Sequence, residues 1–317
     1  MPDEFTISCV NDKIWNHVDL VRFLSNHQRK DITLFINPEA IDLSQLGLYD
    51  LLDCFEFASV RIGTWNQLET SDKYNITTNI GNRFLTENIA EVTDTARLHA
   101  WNGQKVFLTC YGRPTANRLG LAAYLNSHYP AMSLVHFSGG AALNDLTLYE
   151  LDKLAEFRLE SVKEAVELIP QLPRLYNSET AYDFAHYKFD DPLTQCYENI
   201  FVDIVSESHV LGNTFFATEK TTRPMWLKKP FIVFASTSYL CYLRQMGFKT
   251  FSEFWDESYD GHQGRDRFVK ILELIDSLAN KSTSELEQMY QGMQNILDHN
   301  YNLLLNQTYN PTIISIQ

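Results

Sequence analysis

The chain is 317 residues long, 44% hydrophobic and 21% charged, which suits a folded globular protein with room for two cores and excludes a disordered or collagen-like one. Its net charge of −14 at pH 7 excludes a general coat for nucleic acid, while leaving a local basic groove open. Five scattered cysteines without a Cys-x-x-Cys pair exclude a disulfide scaffold, give no zinc spacing, and read as reduced thiols. The acidic Met-Pro-Asp-Glu-Phe start lacks the regions of a signal peptide, and no long apolar run occurs, so the expectation is a cytoplasmic chain with no membrane span.

Thr6 to Val10 is a short apolar strand. Ile14, Val18, Val21 and Leu24 follow at helical spacing behind a capping Asn11 or Asp12. Ile32 to Ile36 reads as a buried strand stopped by Asn37-Pro38, because proline has no N–H for a ladder. Leu48, Leu51, Leu52 and Phe55 mark a second helix, and Val60 to Trp65 another strand. This β-α-β-α-β rhythm predicts a parallel sheet with helices packed on it. Residues 66 to 100 are polar and weakly periodic, and carry no assignment.

A second alternating block starts at Lys105: strand Val106 to Cys110, helix Ala116 to Leu125, strand Ser133 to Phe137 closed by Gly139-Gly140. Residues 146 to 170 form one long helical pattern ending at Pro170 and Pro173, within an acid-rich stretch expected to be a solvated excursion. Strands resume at Ile200 to Val205 and Pro230 to Phe234, and the tail from Arg265 is helical in two segments around Ser282-Thr283-Ser284. The expected architecture is α/β: two doubly wound, Rossmann-like domains facing a cleft, with C-terminal helices. The boundaries are 1–100 for the first domain and 101–280 for the second, with a helical excursion at 145–198. Residues 281–317 form a last helical segment able to pack back on the first domain. Ligands of such sheets sit beyond the carboxyl ends of the strands, which points to the loops after Cys110, Phe137 and Val205.

The distribution of charge supports these loops. No Asp or Glu occurs from Trp101 to Asn144, where Lys105, Arg113 and Arg118 lie. None occurs from Lys220 to Ser252, where Lys220, Arg223, Lys228, Lys229, Arg244 and Lys249 lie. Cations at strand-to-helix junctions suit a phosphate, although surface lysines and arginines of core-rich segments read as merely solvated too. The chain has no G-x-x-x-x-G-K-[ST], no G-x-G-x-x-G, no G-x-S-x-G and no Asp-x-Asp. What survives is a diphosphate held by protein cations and backbone N–H groups, with no metal.

Three segments in order carry a family likeness: Ile204-Val-Ser-Glu-Ser-His209, Phe216-Ala-Thr-Glu-Lys220 and Lys229-Pro-Phe-Ile-Val233. Together they resemble the donor-site signature of GT-B glycosyltransferases, above all the alpha-1,3-fucosyltransferase family. Val106-Phe-Leu-Thr-Cys110, Arg118, Leu125 and Gly139 resemble an earlier part of the same pattern. With Trp255-Asp-Glu-Ser-Tyr259, the whole is also similar to glycosyltransferase-type proteins of phages and giant viruses. Ser208 departs from the family, which has Asn there. Pro224, four residues after Lys220, either starts the helix or kinks it.

The resemblance implies a metal-independent, inverting glycosyltransferase with a nucleoside-diphosphate sugar as co-substrate and no cofactor. Residues 1–100 would take the acceptor, a glycan hydroxyl or a hydroxymethylated base in viral DNA, and residues 101–280 the donor. Glu219 would accept from the ribose hydroxyls. Lys220 and Arg118 would hold the diphosphate and stabilise the leaving group. Glu207 would orient the sugar or the clamp, with Thr218 opening the Thr-Glu-Lys run. By position, His136 and His209 at strand ends, Arg113 and Asn117 around the first loop, Gly139 and Arg223 complete the expected ligand set. A lone strand histidine is more often structural, and Thr-Glu-Lys alone is a common exposed helix start. The acceptor-side base has no recognisable match. Glu39, after the strand Ile32 to Ile36, is the candidate, with Glu56, Glu69 and Glu87 as alternatives. The competing reading is a nucleotide or nucleotide-sugar binding module without catalysis; the oligomeric state stays open.

Overall fold

The computed structural model describes residues 2–10, 13–37, 40–78, 100–139, 144–174, 196–210 and 212–310. Its N-terminal half contains β1 (Asp3–Val10), β2 (Lys13–Ile14), α1 (His17–Asn26), β3 (Asp31–Asn37), α2 (Leu48–Asp53), β4 (Ser59–Thr64) and β5 (Asn75–Thr78). The sheet runs β2-β1-β3-β4-β5; β2 is an antiparallel edge and the other pairs are parallel. Period-two alternation turns Ile7, Cys9, Ile32, Leu34, Ile36, Val60 and Ile62 onto Leu20, Leu24, Leu48 and Leu52. The opposite face carries exposed Glu4, Thr6, Phe35, Arg61 and Thr77. A cavity of about 570 Å³ lies on that face, bordered by Phe35, Arg61 and Trp65.

The C-terminal half contains β6 (Phe107–Tyr111), α3 (Ala116–His128), β7 (Ser133–Phe137), α4 (Asp145–Phe157), α5 (Leu159–Leu168), β8 (Val202–Ser206), α6 (Glu219–Trp226), β9 (Phe231–Phe234) and α7 (Tyr239–Gln245). After these come α8 (Gly264–Ala279), α9 (Thr283–Gly292) and α10 (Gln294–Leu305). The sheet is all parallel in the order β7-β6-β8-β9, and every residue of its strands is buried. Such near-continuous apolar runs mark a sheet covered on both faces. Two α/β layers with parallel sheets are thus present, as the β-α alternation predicts.

Several local expectations change. Ile14 belongs to β2, and Val18 and Val21 are exposed; the buried stripe of α1 is Leu20 and Leu24, one turn apart. The long 146–170 pattern is two helices, broken where Arg158 takes an extended conformation (φ −162, ψ 116). It is not a solvated excursion, because Leu151, Leu154, Phe157, Ala165 and Leu168 join the main core. The tail forms three helices, with a capping box between Ser282 and Glu285 at the second. Its last helix packs on the C-terminal half: the Asn300 amide pairs with both backbone groups of Lys249, and Trp226 meets Tyr301 edge-on.

The carboxyl ends of the two sheets meet. Residues after β3 and β4 contact the connection between β8 and α6. Asp42 accepts from the Asn213 N–H at 2.8 Å, and the Gln67 N–H donates to the Phe215 carbonyl at 3.1 Å. Trp65 and Phe216 pack edge to face at 5.7 Å.

Candidate functional site

In the C-terminal sheet the chain leaves β6 for β7 on one side, then returns to β8 on the other. The loops after β6 and β8 therefore diverge and open a crevice between them, the place where open α/β sheets take ligands. Arg118, in the first turn of α3, spans it. Its guanidinium donates to the Arg113 carbonyl at 3.3 Å, the Ser206 carbonyl at 3.2 Å and Ser208 Oγ at 3.4 Å. The side chain is 3% exposed, and its Nε has no hydrogen-bond partner among the described residues. Burial pulls the guanidinium below its usual range, Glu207 opposes that shift, and Arg113 adds to it. Asn117, next in the same turn, donates to Ser206 Oγ at 2.5 Å and accepts from Thr115 Oγ1 at 2.8 Å, pinning α3 to the end of β8.

Arg113 is exposed on the rim of the crevice. Gly139, after β7, lies so close to the first loop that a Cβ would stand 2.2 Å from the Gly112 carbonyl oxygen. Only glycine permits that backbone contact, which presses the two loops together beside Arg113.

Across the crevice, Glu207 follows β8 and is 3% exposed. Its carboxylate accepts from Thr218 N–H (3.3 Å), Thr218 Oγ1 (2.6 Å), Thr221 Oγ1 (2.6 Å) and Tyr239 OH (3.1 Å). A carboxylate with four donors from its own chain organises the start of α6 rather than reaching outward. Thr218 caps α6 by accepting from the Lys220 N–H, and the helix runs from Glu219 straight through Pro224. Lys220 Nζ lies 2.7 Å from Glu219 Oε1 and 3.9 Å from Glu207 Oε2, with about a fifth of its side chain exposed. His209 is half-buried just past Glu207. Arg118, Glu207, Thr218, Glu219 and Lys220 are thus brought to one place.

Two expected ligands lie elsewhere. Arg223, one turn after Lys220 on α6, is buried and donates Nε–H to Tyr197 OH at 2.7 Å; Tyr197 OH in turn bonds Asp203 Oδ2. His136 is wholly buried, and burial with the nearby Arg223 charge pushes it down to about 4. Burial raises Asp203 to about 6, with Arg223 opposing. These groups form a polar island under the sheet, so the assignment of Arg223 and His136 as ligands is corrected on geometry. Lys220 and Arg223, three residues apart, share a face of α6, and the rise of about 4.5 Å between them sets Lys220 at the mouth and Arg223 a turn deeper.

The charge windows also resolve differently from their sequence reading. Lys105 donates to the Ala131 carbonyl at the amino ends of the strands. Lys228 pairs with Asp298, Arg244 with Glu257, and buried Lys229 donates to the carbonyls of Ala100 and Ile200. Of the nine cations, Arg113, Arg118 and Lys220 line the crevice. Two nearby helix starts are occupied from within: Glu150 accepts from the Ala116 N–H of α3, and Asp260, paired with buried Arg267, accepts from the Leu240 N–H of α7. A ligand phosphate there would meet side-chain cations before free helix ends.

Glu39 and Glu87 lie outside the described residues. Glu56 precedes β4, at the end of the sheet away from the crevice, and sits 3.7 Å from Arg29. Glu69 reaches the seam between the halves, but its carboxylate accepts from Leu43 N–H, Tyr49 OH and the Asn66 amide. Sequence reasoning misses Thr221, Tyr239 and Ser206, which fix Glu207 and Asn117. The Thr218-x-x-Thr221 spacing was the available signal, since it puts both hydroxyls on one helix face. Among the described residues, no group of three His, Cys, Asp or Glu side chains stands ready for a metal, and no helix is long and apolar enough to cross a membrane.

No protein-family model matches the chain, and no curated protein matches it. Solved glycosyltransferase structures resemble it weakly. The alpha,alpha-trehalose 6-phosphate synthase of Burkholderia multivorans is 11% identical, with 97% of this chain and 69% of that one aligned at a TM-score of 0.36. A glycosyltransferase from Rickettsia africae aligns over 92% of this chain and 78% of its own at 9% identity and a TM-score of 0.35. An alpha1,3-fucosyltransferase aligns over 92% and 81% at 10% identity and a TM-score of 0.34. Similarity at this level says nothing of what this chain binds.

Proposed function

We propose that the protein is a glycosyltransferase that moves a sugar from a nucleoside-diphosphate donor to an acceptor hydroxyl, with the donor in the crevice between the β6 and β8 loops. The observation that carries this reading is Arg118: a buried guanidinium at the point where strand order reverses, bridging both loops, with its Nε–H unspent among the described residues. Burial of a charge is costly, and an anion bound beside it would offset that cost.

In the proposed reaction the acceptor oxygen attacks the anomeric carbon while the bond from that carbon to the phosphate oxygen breaks. The electron pair leaves with the nucleoside diphosphate, and negative charge grows on its outer phosphate. Arg118 and Lys220 stabilise that charge, supplying what a metal ion supplies elsewhere. Lys220 must release Glu219 to do so, and the freed Glu219 carboxylate then accepts from ribose hydroxyls. Glu207 holds the Thr218 cap and so aims both residues. The acceptor hydroxyl loses its proton to a base on the N-terminal half.

The second reading, a binding module without transfer, is favoured by one observation: the described carboxylates considered as the base, Glu56 and Glu69, are misplaced or already bonded. The experiment is a thermal-shift series with UDP, GDP, ADP and CMP, followed by donor turnover with the sugar forms of any nucleotide that binds. A ligand for the folded state alone raises the melting temperature, by linkage. Binding with release of nucleoside diphosphate supports the enzyme, and binding without release supports the module. No shift with any nucleotide at millimolar concentration overturns the donor site.

A further inference from the structure

Asn66 is polar, lies just past β4, and has no solvent exposure at all. Every polar atom of its amide is engaged. Oδ1 accepts from the Leu68 N–H and the Phe215 N–H, each at 3.1 Å. Nδ2 donates to the Asn213 carbonyl at 2.9 Å, and more weakly to Glu69 Oε2 at 3.2 Å and the Ile41 carbonyl at 3.4 Å. The side chain therefore pairs with Asn213 and Phe215 as a neighbouring strand would, across the seam between the halves.

The segment it grips belongs to the connection whose two ends build the crevice. Glu207 opens that connection and Thr218 closes it. From Phe215 the contacts run inward: its ring packs on Tyr239 at 5.1 Å, and the Tyr239 hydroxyl bonds Glu207. Ser236 Oγ ties the Thr214 carbonyl to the end of β9. On the other side, Gly212 (φ +73) touches Asp42 and Gln45 so closely that a Cβ would stand 2.4 Å from Gln45 Oε1.

We infer that Asn66 is a positioning residue coupling the two halves to the crevice: the geometry of Glu207 and Thr218 and the docking of the N-terminal half on Asn213 and Phe215 form one cooperative unit. The crevice is then complete only when the halves are docked, and a ligand that tightens Thr218 tightens the seam by the same free energy. The ligand part of this inference rests on the nucleotide reading above. The coupling itself does not.

Hydrogen exchange of the Gln67 N–H, which crosses the seam to the Phe215 carbonyl, reads the coupling without any ligand. Thr218→Ala removes the hydroxyl held by Glu207, on the other half of the molecule, and is expected to speed exchange at Gln67 at least fivefold. Thr218→Ser, which keeps the hydroxyl, restores slow exchange. Asn66→Asp loses the donor to Asn213 and sets a second carboxylate beside Glu69; it is expected to speed exchange at Gln67 and at Thr221 in α6. Should Asn66→Asp fail to fold, Asp42→Ala, which removes the acceptor for the Asn213 N–H and the local one for the Gln45 N–H, gives a smaller change of the same sign, and Asp42→Asn, which keeps a carbonyl oxygen there, restores it. Unchanged exchange at Gln67 in Thr218→Ala overturns the coupling. In the wild type, whichever of UDP or GDP binds is expected to slow Gln67 exchange and to bind three- to tenfold more weakly to Asn66→Asp. If neither binds, the nucleotide reading fails while the Thr218 comparison still decides the coupling. If one binds with Gln67 exchange and the Asn66→Asp affinity both unchanged, the coupling fails and the nucleotide reading stands.

Discussion

Helix α6 serves two polar clusters, each with a buried arginine. At its start, Lys220, Glu219, Thr218 and Glu207 meet Arg118 at the crevice, where Lys220 and Glu219 are partly exposed while Glu207 and Arg118 are buried. One turn on, Arg223, Tyr197, Asp203 and His136 are closed off beneath the sheet. Lys220 and Glu219 of the first cluster are partly exposed; Arg223, Tyr197, Asp203 and His136 of the second are all buried. Arg118 is as buried as Arg223, so the two clusters are set apart by the partly exposed partners at the crevice mouth rather than by the burial of the arginine itself.

The sharpest way to break the comparison is Arg223→Met. It leaves Asp203 buried without its cation, so unfolding free energy should fall by about 3–5 kcal/mol in urea titration. Lys220→Ala and Arg118→Ala should behave in the opposite sense where turnover is concerned. Each should lower turnover with a nucleotide sugar by roughly 2–4 kcal/mol of transition-state stabilisation, more than it weakens donor affinity. Lys220→Ala, at a partly exposed pair, should change stability by no more than about 1 kcal/mol. Equal stability losses at Lys220 and Arg223 would erase the distinction.

The pH dependence of stability sharpens it further. Asp203 is raised from 3.8 to about 6, so the folded state holds its proton more tightly, and this group's contribution falls as pH rises through that window. His136 is lowered from 6.5 to about 4, so the folded state holds fewer protons and its contribution rises with pH over the same range. The two oppose each other. Relative to the wild type, Asp203→Asn should gain stability from pH 4 to 6, and His136→Asn should lose it, each by up to roughly 3 kcal/mol in denaturation series. Parallel curves for all three proteins would show that the island does not titrate.

Smaller effects belong at the crevice rim. Glu219→Gln keeps the shape and loses the charged acceptor, so nucleotide binding measured by calorimetry should weaken by roughly 1–3 kcal/mol. Lys249, exposed and held through its backbone by Asn300, lies in the same acid-free stretch as Lys220. Lys249→Ala should leave binding and turnover within about 0.5 kcal/mol of the wild type. A Lys249 effect as large as that of Lys220 would make the stretch a diffuse basic surface.

Sequence alone determined the strands and their alternation with helices, because buried parallel strands are short, β-branched and bounded by turn residues. Val106 to Cys110, Ser133 to Phe137 and Pro230 to Phe234 each fall within a residue of an observed strand. It also placed Arg118, Glu207, Glu219 and Lys220 at strand-to-helix junctions, since a motif in linear order marks the loops of a regular fold. Tertiary structure decided what each of these side chains faces. Strand order put the crevice between β6 and β8, and no local pattern encodes which neighbour a strand takes. Position along α6 and within β7 sent Arg223 and His136 into the core, and tertiary packing paired six of the nine window cations with distant carbonyls, hydroxyls or carboxylates, or left them on outer turns. The seam through Asn66 was beyond sequence reading for the same reason: one asparagine among polar neighbours gives no sign that it will be wholly buried, and only the packing of two sheets end to end makes its amide a strand partner.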